Sequence, residues 1–226
     1  MKTIIFDFDG TLTKKHQNVW KYLWKKTPYG IEMNNLFYTL FSKGKITYQK
    51  WAELDFYYLK KGGIDVFSLK EAAENVVLQD GCFEFLKALK TNSYDLHIVS
   101  GGIKCVIKQC LKPHAQLFTN ISANNFSFNE DGSLKDIIVT PYDNEGKALY
   151  IEELMAKNNL SPNDILFIGN STNDEFVHKT GCHTLCINAE TKNVSNKTIW
   201  NNSIETDNLT NLIPVIENIF SETKEK

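Results

Sequence analysis

Two aspartates one residue apart, Asp7 and Asp9, follow the apolar run Thr3-Ile4-Ile5-Phe6 and are followed at once by Gly10. Aspartate is a poor strand former, and on an extended chain residues i and i+2 point to one face, so these carboxylates repel each other unless something positive sits beside them. A strand that stops at a glycine turn exposes its carboxyl end, where open α/β sheets bind ligands, and hard oxygen donors at such a place suit Mg²⁺. The second stretch with chemical capability is Ile98-Val99-Ser100-Gly101-Gly102, which ends another apolar run in a hydroxyl and two glycines before a helical pattern. Bare amides there favour an anion and Ser100 can donate to a phosphate oxygen, although the same pattern also makes an ordinary turn. Lys147 opens a further helical pattern, where the helix dipole disfavours a cation. Taken alone it reads as a solvated surface lysine.

These residues need a scaffold, and the rest of the chain outlines one. Residues 14–75 are rich in lysine and large aromatics, with runs such as Val19 to Trp24 and Trp51 to Leu59 that predict short amphipathic helices separated by Gly44 and Gly62-Gly63. From Asp80 onward helix and strand alternate. The patterns predict a helix at 82–90, a strand at 95–100, a helix at 103–111 stopped by Pro113 and a strand at 117–122. A hairpin at 125–140 turns on Asn129-Glu130-Asp131-Gly132. Then follow a helix at 147–157, a strand at 164–168, a helix at 174–179, a strand at 184–188 and a last helix at 209–220, before a polar end, 221–226, that reads as frayed. Such alternation implies parallel pairing and right-handed crossovers, hence a doubly wound, Rossmann-like α/β sheet.

Composition narrows the class. The chain has 226 residues, is 42% hydrophobic and carries a formal net charge of −2 at pH 7, which suits a globular protein with one well-filled core and argues against a basic nucleic-acid binder. No apolar stretch approaches a membrane span or a signal h-region, so the expectation is a cytoplasmic protein with no nucleic-acid or membrane partner and an open oligomeric state. Five cysteines without a secretory signal imply free thiols. Cys182-His183-Thr184-Leu185-Cys186 hints at zinc but reads better as a strand whose alternate residues enter the core.

The segment Asp7-Phe8-Asp9-Gly10-Thr11-Leu12-Thr13 resembles the first motif of the haloacid dehalogenase superfamily, in the form carried by its phosphatases. That resemblance implies a central opening strand, a core of residues 1–13 and 76–226, and a helical cap of residues 14–75. It implies that Asp7 attacks phosphorus to give an aspartyl-phosphate, and that Asp9 protonates the leaving oxygen and then activates water. Ser100, with Gly101 and Gly102, resembles the second motif, which holds the phosphoryl group, and Lys147 the third, which pairs with the nucleophile. The run from Ile165 to Asp174 resembles the last motif but departs from it, since Asn170 stands where an acid is usual. The implied Mg²⁺ ligands are Asp7, Asp9 through its carbonyl, and Asn170, with Asp174 one step further out or bridged by water. An amide contributes no formal charge, so metal demand should rise.

The layout resembles phosphoserine phosphatases over nearly the whole chain, and Ser42 to Trp51 resembles their cap sequence. Two features speak against phosphoserine itself: the chain contains no arginine, and Lys14-Lys15-His16-Gln17 stand where that subgroup carries a cap glutamate. The expectation is a Mg²⁺-dependent phosphomonoesterase of a small phosphorylated metabolite, with a phosphotransferase to an alcohol or a non-catalytic phospholigand binder as alternatives. Residues 14–75 hold eleven lysines and six acids, net +5, against fourteen lysines and twenty-one acids elsewhere, net −7. These lysines either coat outer helix faces or draw anions inward. Trp20, Trp24, Trp51 and Tyr57 read as packing anchors, or one of them as a pocket wall facing a quaternary ammonium. His16, the polar side chain nearest the aspartate turn, reads as exposed.

Overall fold

A computed structural model describes residues 1–195 and 198–221. Its centre is β1 (Thr3–Phe6), which pairs in parallel with β2 (Asp95–Ile103) on one side and β5 (Ile165–Gly169) on the other. Outward from β2 lie β3 (Asn120–Phe128) and the antiparallel β4 (Leu134–Ile138); outward from β5 lie β6 (His183–Ile187) and β7 (Asn202–Ile204), giving the order β4-β3-β2-β1-β5-β6-β7. Strand order reverses at β1. That is where a doubly wound sheet opens a crevice at its strand ends.

Both faces of the sheet are covered at its centre, which is why β1 and β5 are continuous buried runs and not alternating ones. Ile4 and Phe6 point into one layer, with α5 (Cys82–Thr91), α6 (Lys104–Leu111) and α9 (Ile213–Ser221), while Ile5 points into the other, with Tyr150 and Ile151 of α7 (Gly146–Asn158). The first layer continues without a break into residues 19–75. There Leu23 and Trp24 of α1 (Val19–Lys25), Phe37 of α2 (Gly30–Ser42), Phe56 and Leu59 of α3 (Tyr48–Lys61) and Leu69 of α4 (Val66–Asn75) are buried in the same cluster. The chain enters and leaves these four helices through adjacent segments: Lys14 N donates to Val77 O at 2.8 Å and Gln79 N to Leu12 O at 2.9 Å.

Several elements differ from the sequence reading. The strand at 117–122 and the first hairpin arm are one continuous strand, β3, because Asn120 to Phe128 pairs first with β2 and then with β4. The helix expected at 174–179 is a 3₁₀ helix spanning residues 172–180, and a 3₁₀ turn, Leu209–Leu212, precedes α9. The short helix α8 (Lys192–Ser195) and β7 have no sequence expectation behind them. Ser221 closes α9; the expected fraying beyond it lies outside the described residues. Cys182 and Cys186 are buried in the second layer, and all five cysteines are free. Among the described residues no helix is long and apolar enough to cross a membrane.

Candidate active site

The site forms at the carboxyl ends of β1, β2 and β5. β1 ends at Phe6, and Asp7 extends the ladder by one step through its N–H to Ile168 O at 3.0 Å. The chain then folds back. The Phe8 carbonyl accepts from Thr11, Leu12 and Thr13 N–H at 3.0–3.2 Å, and Gly10, with φ +81°, adopts a conformation that L side chains resist. A Cβ at Gly10 would also run into the Asn170 amide. Asp7 and Asp9 both line one cavity, and the turn that begins at Asp9 gives the two carboxylates different neighbours. Asp7 faces Lys147, whereas the Asp9 carboxylate faces Ser100 and Gly102, where a Cβ on Gly102 would stand 3.2 Å from Ser100 Oγ and 3.7 Å from Asp9 Oδ2.

Lys147, second residue of α7, is fully buried, which overturns its reading as a surface lysine. Its ammonium lies 2.5 Å from Asp174 Oδ1, 3.1 Å from Asp7 Oδ1 and 3.7 Å from Asp143 Oδ1. Burial alone would push its pKa down, but the carboxylates of Asp174, Asp7 and Asp143 outweigh burial and hold it above the ordinary lysine value. The helix dipole is a small cost against three acids. Asp174 is fully engaged: Oδ1 takes Lys147, and Oδ2 accepts from Asn170 N at 3.0 Å and Ser171 N at 3.1 Å.

The two candidate catalytic acids are both pushed up. Burial, opposed by Lys147, raises Asp7 to about 7; burial and then the neighbouring Asp7 raise Asp9 to about 8, and Asp9 Oδ1 has no hydrogen-bond partner. Ser100 is buried on the far side. β2 runs past Ser100, its expected end, irregularly through Gly101 and Gly102 to Ile103 before α6 opens at Lys104, and the Gly102 N–H donates to Ser100 Oγ at 3.1 Å. Asn170, at the end of β5, accepts at Oδ1 from Thr11 Oγ1 at 3.2 Å.

Sequence reasoning missed two buried polar residues here. Asp143 accepts from Asn173 Nδ2 at 3.2 Å and packs against Gly101; its only sequence signal is its place one helical turn before Lys147. Asn124 of β3 donates to Gly101 O at 2.8 Å and to Tyr48 Oη at 2.9 Å, and Trp20 Nε1 donates to the same Gly101 carbonyl at 3.0 Å. Helices α1 and α3 are thereby tied to the irregular end of β2 that follows Ser100. Between them lies a cavity of about 230 Å³ lined by Asp7, Asp9, Ser100, Asn170, Trp20 and Asp55, among others. His16 lines it while remaining exposed, as expected of it.

Asp7, Asp143 and Asp174 place three carboxylates around one ammonium. This surplus of acid, together with the unpartnered Asp9 oxygen, fits a bound cation, and the donors at hand are hard oxygens. Among the described residues no cluster of three or more His, Cys, Asp and Glu side chains forms a metal cage. Any ion would rest on a mixed set of carboxylate, amide and main-chain oxygens.

A crevice at the switch point of a doubly wound sheet, furnished with paired acids and a buried lysine, places this chain among α/β proteins whose ligand site lies at the carboxyl ends of the strands. The sequence pattern of the haloacid dehalogenase-like hydrolases matches residues 1–175, and the chain belongs to that family. It is 26% identical over 219 residues to a phosphoserine phosphatase of Archaeoglobus fulgidus, an alignment that covers 96% of this chain but 60% of that protein. Among solved structures it resembles a phospho-aspartyl intermediate analogue of phosphoserine phosphatase, with a TM-score of 0.73 at 20% identity, covering 95% of this chain and 98% of the other. A phosphoserine phosphohydrolase-like protein from Francisella tularensis superposes with a TM-score of 0.66 at 22% identity, covering 96% and 100%. At these identities the structural likeness speaks for the fold.

Proposed function

We propose that this protein hydrolyses the phosphate monoester of a small metabolite with the aid of Mg²⁺, and that its four-helix segment serves as a cap over the sheet. The observation that carries this reading is the division of labour between Asp7, gripped by Lys147 at 3.1 Å, and Asp9, which lacks any partner at Oδ1 and is raised to about 8. Lys147 favours the ionised form of Asp7, the state needed for attack on phosphorus. Burial keeps a proton on Asp9 at neutral pH, the state needed to protonate the departing alkoxide; once it has given up that proton, it can take one from water as an aspartyl-phosphate on Asp7 is cleaved. Ser100 lies where its hydroxyl can bond a phosphoryl oxygen. Asp174 acts through Lys147, holding the ammonium against Asp7.

A bound Mg²⁺ would supply positive charge to the phosphoryl oxygens, and the atoms suited to hold it are an Asp7 carboxylate oxygen, the Asp9 carbonyl and the Asn170 amide oxygen. Asp174 is better read as outside that set, since both its oxygens are already engaged. The relatives named as phosphoserine phosphatases support phosphoester chemistry, but a chain without arginine has no guanidinium to clamp an amino-acid carboxylate. Hydrolysis of p-nitrophenyl phosphate tests the proposal. Turnover should require Mg²⁺, stop with EDTA and fall at least ~10³-fold in Asp7→Asn; steady hydrolysis by Asp7→Asn would remove the nucleophile assignment.

A further inference from the structure

Helix α3 turns an unusual stripe toward the cavity. Tyr48, Trp51, Ala52 and Asp55 all line it, and their i, i+3, i+4, i+7 spacing places them on one helix face. Trp20 of α1 lines the same cavity, so two indoles and a phenol share one lining with Asp55. Asp55 itself is 3% exposed. Asn34 Nδ2 reaches its Oδ2 at 3.4 Å, Oδ1 has no hydrogen-bond partner, and the Trp24 indole N–H faces the carboxyl without completing a bond. None of the ion pairs among the described residues involves it.

A buried carboxyl with an unsatisfied oxygen, in a residue that shares a cavity lining with aromatic rings and with the candidate catalytic acids, has the chemistry to bind a cation. We propose that Asp55, with Trp20, Tyr48 and Trp51, binds an organic ammonium group carried by the substrate, so that the preferred substrate is a phosphate monoester with a cationic head. This rests on the phosphatase reading and goes further by assigning the cap end of the same cavity. The rings favour an alkylated ammonium, because cation–π attraction needs no N–H donors and a bulky, weakly hydrated cation loses little on leaving water. Lys21, the lysine of residues 14–75 that lines the cavity, is exposed at its rim, where water screens it. Burial raises Asp55 to about 8, so the empty pocket holds it protonated, and an arriving cation draws out its carboxylate.

The deciding experiment compares phosphocholine with 3,3-dimethylbutyl phosphate, its neutral isostere, in the full chain with Mg²⁺. The wild type should favour phosphocholine by about tenfold or more in kcat/KM, and Asp55→Asn should bring that ratio close to one. Trp51→Leu, read by the same ratio, guards against an unrepresentative Asp55 variant. Equal use of the two esters by the wild type, or a ratio that survives in both variants, would overturn the proposal. If neither ester nor p-nitrophenyl phosphate is hydrolysed, the phosphatase reading fails; the cation site is then decided by calorimetric binding of the same two esters, where a preference for phosphocholine that Asp55→Asn abolishes supports it and equal affinities overturn it.

Discussion

The chemistry of this site depends on how single residues are paired. Asp7 and Asp9 are two positions apart, yet only Asp7 forms an ion pair with Lys147, which acts on Asp9 from further away, so burial meets different opposition at the two. On the proposed mechanism, Asp9→Asn removes both the acid of the first step and the base of the second. Turnover should fall by ~10²–10⁴-fold while protein-bound phosphate, trapped by acid quench, accumulates on Asp7; an equally slow variant with no bound phosphate would place Asp9 in the first step alone. Asn170 raises a different matter, because an amide replaces a charge. Asn170→Asp should lower the Mg²⁺ concentration for half-maximal activity on the order of tenfold, equivalent to ~1.4 kcal/mol at the ion, and an unchanged Mg²⁺ requirement would mean that this side chain does not touch the metal. The Asp7-Phe8-Asp9-Gly10 run and the Ser100 glycines were legible because motif and spacing are local. Asp143, Asn124 and Asp55 were not, since each gains its role from a partner far along the chain: Asp143 from Asn173, Asn124 from Gly101 and Tyr48, Asp55 from Asn34.

At the scale of elements, the strands nearest the site were the most legible. β1 and β5 are apolar, end at polar or glycine residues and are buried on both faces, which leaves a strong signal in sequence. Edge elements lacked one: β7 has three residues, two of them exposed, and β3 looked like two strands because its pairing partner changes midway. Helix α3 shows what periodicity misses. Its apolar stripe predicts a helix, but Asp55 on the buried side breaks the pattern and reads as noise until the cavity is seen. A carboxyl raised from 3.8 to about 8 binds its proton more tightly in the folded than in the unfolded chain, so its contribution to stability is complete below pH ~4 and is lost as pH rises toward 8. The advantage of Asp55→Asn over wild type in denaturant unfolding should therefore grow by up to ~1.4 kcal/mol per pH unit between those limits and level off above them. A stability difference independent of pH would show that Asp55 is ionised in the free protein.

For the molecule as a whole, the division into a positive segment and an acidic remainder is real in charge but not in the cavity. Ten of the eleven lysines between 14 and 75 are exposed and the other, Lys14, pairs with Asp80, whereas the cavity lining contains Asp7, Asp9, Asp55, Asp143 and Glu190. The lysines therefore coat the outside, and under the proposed function a phosphate entering this acid-rich space would draw on a metal's charge to remain. The cavity also lies between the sheet and the helices, joined by Trp20 and Asn124 at one carbonyl, so a ligand that bridges them should resist unfolding of both together. Orthovanadate, a mimic of the transferring phosphoryl group, should accordingly raise Tm with Mg²⁺ present and not without it. At one hundred times Kd the stabilisation is ~2.7 kcal/mol, which for a chain of this length is a shift of roughly 5–10 °C. Asp7→Asn should lose most of it, because the oxygen that would bond to vanadium is gone. An equal shift in EDTA would separate anion binding from the metal and leave Lys147 and Ser100 as the whole of the phosphate site.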